Sequence, residues 1–156
     1  MTRGPGRDLL TAAASGSLAV AALHLGIVAA GAPAYAYFGA ASLVPLVERG
    51  SPLPALLTIG IAILVSLCGL YALAGAGRIR PLPLLRPALA VVTTVYLLRG
   101  VLIVPEVLAF AAQRAGLPLR ELGFSAFSLA LGVVHALGLL RAWHGMRPPR
   151  PARGTG

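Results

Sequence analysis

Charged side chains are scarce in this sequence, and lysine is missing altogether. Charged residues are 11% of the 156, roughly half the usual share of a soluble domain, whereas 58% are hydrophobic. So few polar groups cannot cover a folded surface in water. A soluble globular domain is therefore excluded, and the chain needs a nonpolar solvent, the lipid bilayer. Cysteine is almost absent: Cys68 stands alone inside an apolar run, which rules out an internal disulfide. The three histidines, His24, His135 and His144, are scattered and lack HExxH or CxxC spacing, so the sequence calls for no metal site. Walker spacing is also missing; Gly75-Ala76-Gly77-Arg78 reads as a helix end rather than a phosphate loop. No residue is assigned a catalytic role and no cofactor is expected.

What is present is arginine. Thirteen arginines against four acids give a net charge of +9. They punctuate long apolar runs instead of forming a basic domain, so nucleic acid is not the expected partner; lipid phosphates are. The uncharged stretches between them mark four spans, at about 9–32, 53–75, 88–110 and 123–143. Each supplies the ~20 residues that cross a ~30 Å hydrocarbon layer. The third carries Arg99 at its centre. A central Arg costs roughly +2.5 to +3.5 kcal/mol, and each central Leu, Ile, Val or Phe returns roughly 0.3 to 0.6 kcal/mol. The span holds 13 such residues, enough to exceed the penalty by a narrow margin once Pro105 and Glu106 are included. A re-entrant or tilted segment is the alternative. The expected fold is an all-α membrane four-helix bundle forming a single domain over 1–145, with 146–156 as a disordered basic tail.

Arg3, Arg7, Arg78, Arg80, Arg86, Arg141, Arg147, Arg150 and Arg153 fall on one side of such a bundle, and Arg49, Arg114 and Arg120 on the other. Positive loops stay inside, so both termini are expected to be cytoplasmic. Tyr35, Tyr37 and Phe38 follow the first span, where an aromatic belt is expected. The loop from Pro33 to Pro52 is expected to hug the interface, with a lid as the alternative. Ala34-Tyr35-Ala36 imitates a leader cleavage site, but the preceding apolar run is longer than a typical leader core and contains His24, so an uncleaved first span is expected, with cleavage to three spans as the alternative. Heavy use of Ala, Arg, Gly and Pro with no Lys resembles a GC-rich bacterial chain. The expected location is therefore a bacterial inner membrane.

Four local strings, AYAYFGA (34–40), GLYALAGAG (69–77), RPLPLLRP (80–87) and YLLRG (96–100), occur together. They resemble a group of uncharacterised small bacterial inner-membrane proteins with four predicted transmembrane helices. The resemblance spans roughly the first hundred residues and weakens in the fourth helix. It implies topology and carries over no catalytic residue.

Ionisable groups inside lipid are costly and are candidates for function. His24, Tyr96, Arg99, Glu106 and His135 compose the candidate polar site. Arg99 and Glu106 lie seven residues apart, near two turns, and share a face with Tyr96 and Ile103. Each of these residues has an equally simple packing role, as a hydrogen-bonded group between helices. Bis-His haem ligation by His24 and His135 is disfavoured by a depth mismatch of about 8 Å. Ala22-Gly26-Ala30 and Ser128-Gly132-Ala136 are small-residue faces suited to close helix packing, within the chain, in a homo-oligomer, or against a membrane partner. Together these features point to a non-enzymatic packing or accessory protein, or a binder of a small lipid-like molecule. The alternatives are a small transporter using Arg99 and Glu106, and a membrane-embedded enzyme using His24, Glu106 or His135 for proton transfer.

Overall fold

The computed structural model describes residues 4–112 and 119–146, with backbone alone at 106, 109, 110, 119 and 121. Among these residues there is no strand; the elements are helices and the turns that join them. In chain order they are α1 (Pro5–Ala30), α2 (Ala32–Tyr37), a 3-10 turn (Ala41–Leu43), α3 (Val44–Glu48), α4 (Leu53–Gly75), α5 (Leu85–Val101), α6 (Ile103–Ala111), α7 (Leu119–Ala142) and a last 3-10 turn (Trp143–Gly145). The expected residues 147–156 of the tail lie outside the described ones.

Four helical stretches are long and apolar enough to cross a membrane: Pro5–Ala30, Leu53–Gly75, Leu85–Pro105 and Leu122–Gly145. Only 22% to 33% of each apolar window is buried inside the chain, so most of every span faces outward. On α4 the exposed side chains include Leu56, Leu57, Ile59, Ile61, Leu64 and Leu67, which leaves no polar stripe for water. A helix apolar on all sides is stable only in hydrocarbon or in a large core, and the described residues form no such core around α4.

α1 begins at Pro5, four residues before the expected Leu9. Pro5 stands where a helix has no use for the missing N–H, and Asp8 places its carboxylate at the positive end of the helix dipole. The third span differs more. It breaks at Leu102, which divides it into α5 and α6. Pro105 explains the break: its ring has no N–H for the Val101 carbonyl and collides with it. Arg99 therefore belongs to a span ending near Pro105 and sits about 9 Å from that end, not at the centre.

The chain separates into two compact units. The larger comprises Met1–Ala14 with Leu70–Gly156. Leu10, Ala14, Ala72, Leu85, Leu89 and Leu139 form the centre of its apolar core. Within it α5 and α7 run antiparallel at very close approach. A Cβ at Gly100 would overlap Leu129 Cα, and one at Gly132 would lie 2.9 Å from Leu97 N. No side chain larger than hydrogen fits at either crossing. In the smaller unit, Ser15–Gly69, the loop after α1 is anchored by Tyr35, which is 3% exposed. Its hydroxyl donates to Thr58 Oγ1 at 3.1 Å, and Thr58 in turn donates to the Pro54 carbonyl at 2.8 Å. Tyr37 and Phe38 meet edge to face with centroids 5.0 Å apart.

Of the two small-residue faces, one is packed and the other is open. Ser128 and Ala136 are half-buried around buried Gly132, whereas Ala22, Gly26 and Ala30 are exposed. A Cβ at Gly26 would meet nothing within 4 Å among the described residues. Gly100→Ala should therefore destabilise the folded protein by about 1–3 kcal/mol through overpacking, and Gly26→Ala should be neutral or stabilise it by up to ~1 kcal/mol. Thermal melting of the purified protein in detergent reads both; equal effects would show that the α5–α7 crossing is not the tight one.

Candidate intramembrane polar site

The α5–α7 register determines which polar side chains meet. Gly100 faces Leu129 and Leu97 faces Gly132, so each step back along α5 is a step forward along α7. Tyr96 then stacks on His135, with centroids 5.0 Å apart and planes 25° apart. Both lie within two residues of the middle of their spans. His135 is 0% exposed. Its Nδ1 lies 2.9 Å from the Leu131 carbonyl, which can only accept, so Nδ1 carries a proton. In the neutral ring the remaining nitrogen, Nε2, is then an acceptor, and it is buried with no partner among the described residues.

Thr93 was not among the residues expected from the sequence. The register puts it opposite Ala136, one residue from His135 on α7. Its Oγ1 is likewise buried and unpartnered among the described residues. A hydroxyl and an imidazole nitrogen therefore sit unsatisfied at one level of the interface. Thr93 is invisible to a search for ionisable groups, and only the register singles it out.

Arg99 behaves differently. The register places it opposite residue 130, yet Nη1 donates to Ser125 Oγ at 2.9 Å. Its guanidinium thus reaches about 7 Å toward the end of the span, as long cationic side chains in lipid do. Ser125 is 0% exposed, and ten residues separate it from His135 on α7. The Arg99 guanidinium and His135 accordingly occupy two places, about 15 Å apart along the helix: an Arg99–Ser125 pair and a Tyr96–His135 stack. Ser128 donates to its own helix at Phe124 O, 2.9 Å away.

His24 belongs to the smaller unit, where its Nδ1 lies 2.8 Å from the Val20 carbonyl one turn earlier. Glu106 lies on α6, and its side chain is outside the described residues. Gly132 on α7 lets α5 approach at this interface.

Four apolar spans, with polar groups held between helices or tied to their own backbone, define a multi-pass, all-α membrane protein. No protein family, curated protein or solved structure matches the chain.

Thr93→Val preserves shape and deletes the unmatched hydroxyl. Removal of a buried unsatisfied group is neutral or stabilising, so the melting temperature should hold or rise. A loss of more than ~1 kcal/mol would show that the hydroxyl has a partner.

Proposed function

We propose that this chain is a non-enzymatic packing or accessory protein of a bacterial inner membrane, with both termini cytoplasmic. The observation that carries this reading is the way its intramembrane polar groups are used. Arg99 is bonded to Ser125, Tyr96 is stacked on His135, and His24 and His135 each spend one ring nitrogen on a backbone carbonyl. The Arg99–Ser125 bond and the Tyr96–His135 stack join α5 to α7, and the two histidine bonds stay within their own helices. Open apolar faces on α1 and α4, including the Ala22-Gly26-Ala30 stripe, suit association with lipid, a second copy or a membrane partner. The arginine excess at the end bearing Arg7, Arg78, Arg80 and Arg86 supports the orientation. The bacterial assignment rests on composition.

Transport through Arg99 is the competing reading. Proteoliposomes on a solid-supported membrane, challenged with a panel of cationic and anionic solutes, should give no current above that of empty liposomes. Arg99→Leu should insert and fold with little change in thermal stability, because removing a charge that lipid penalises offsets the loss of the Ser125 bond. A saturable current in the wild-type protein that Arg99→Leu abolishes, with folding intact, would refute the accessory reading.

A further inference from the structure

The larger unit contains a cleft of about 600 Å³ at its arginine-rich end. Its walls come from the ends of all four spans: Arg7 at the start of α1, Gly75 at the end of α4, Leu85 at the start of α5, and His144 and Met146 just past α7. A cleft bounded by span ends lies at the depth of lipid headgroups. One side is apolar, from Leu85, Ile79 and Met146; Arg7 and His144 supply the polar side.

Two neighbouring arginines are already engaged. Arg78 Nε donates to Thr11 Oγ1 at 3.3 Å. Arg86 Nη2 donates to the Met146 carbonyl at 2.7 Å, and its guanidinium lies 5.3 Å from the Trp143 ring centroid. These two bonds brace the cleft. Arg7 lies along the Gly77 turn, where a Cβ would sit 3.8 Å from its guanidinium carbon. Among the described residues neither the Arg7 guanidinium nor the His144 ring has a hydrogen-bond or ionic partner, and neighbouring Asp8 forms no ion pair with Arg7. A guanidinium fork and an imidazole lining one cleft with apolar side chains suit one kind of ligand, a phosphate group attached to something greasy.

We propose that this cleft binds a phosphate-bearing anion, supplied by an anionic phospholipid of the surrounding leaflet whose acyl chains run down the outer apolar faces. The proposal adds a ligand to the accessory reading and stands without it.

Native mass spectrometry of the full chain, released from nanodiscs containing phosphatidylglycerol and phosphatidylcholine, tests it. Wild-type protein should retain phosphatidylglycerol in preference to phosphatidylcholine. Arg7→Gln with His144→Gln should lower that retention at least about tenfold, Arg7→Lys should lose less, and Arg80→Gln, at the same end but outside the cleft lining, should match wild type. Arg7 and His144 are exposed, so unchanged melting curves should accompany the loss. Should the double variant unfold, a titration of wild-type protein with a short-chain phosphatidylglycerol in detergent gives the answer: saturable binding at one site supports the proposal, and non-saturable uptake overturns it. An equal loss in Arg80→Gln would overturn it by showing diffuse charge attraction, as would equal retention of both lipids. Displacement of the lipid by millimolar inorganic phosphate, with phosphate itself bound and dependent on Arg7, would overturn the lipid source in favour of soluble phosphate.

Discussion

The rest of the larger unit depends on two helix backbones meeting with nothing between them. Gly100 lies against Leu129, and Leu97 lies against Gly132. In lipid the hydrophobic effect gives helices no reason to associate, because acyl chains are as apolar as leucine; close van der Waals packing must do so. The double contact fixes both the separation of α5 and α7 and their register. Register then determines the rest: Tyr96 lands on His135, Thr93 reaches the same level, and the first turn of α5 comes beside the last turn of α7. Shifting the pair by one residue would rotate each polar side chain by about 100°, which would point His135 toward lipid.

Polar groups in this chain follow a second constraint, that nothing polar in hydrocarbon can rely on water. The commonest solution is also the shortest. Thr11, Thr58, Thr94, Ser128, His24 and His135 each bond a carbonyl four residues earlier on their own helix. Such bonds depend on no neighbouring helix. The exceptions identify the interfaces that matter: Arg99 to Ser125 between α5 and α7, and Tyr35 to Thr58 between the outer loop and α4. His135 has one nitrogen tied to its own helix, while its ring stacks on Tyr96 of α5.

Much of this architecture is legible in the sequence because hydrocarbon tolerates so few charges. Gaps between charged residues mark the four spans to within a few residues, and Pro54 and Gly75 lie where α4 starts and ends. Adjacency is not legible. Ala22-Gly26-Ala30 and Ser128-Gly132-Ala136 have the same four-residue spacing, yet only the second meets another helix of the chain among the described residues. Spacing says that a face is smooth; only the partner says whether it is covered. The same limit explains Arg99. Its place in a span of 88–110 puts it at the midplane, but Pro105 breaks that helix at Leu102, and the guanidinium extends toward Ser125. The Pro105 break was present in the sequence, since a proline removes the bond to the fourth residue before it.

The arginine-rich end shows how identical residues come to differ. Orientation requires only that positive charge accumulate on one side, and any of these arginines serves that purpose equally. The fold then separates them. Arg78 and Arg86 turn inward to Thr11 and the Met146 carbonyl, which ties the start of α1 and the segment after α7 to the ends of α4 and α5. A guanidinium spent on a carbonyl keeps its charge but loses part of its hydrogen-bonding fork. Among the described residues the Arg7 fork has no partner, and its guanidinium carbon lies 3.8 Å from where a Cβ on Gly77 would stand. Charge count alone ranks these arginines as equals; a place in the lining of the cleft, with Leu85, Ile79 and Met146, is what sets Arg7 apart from Arg80 and Arg141.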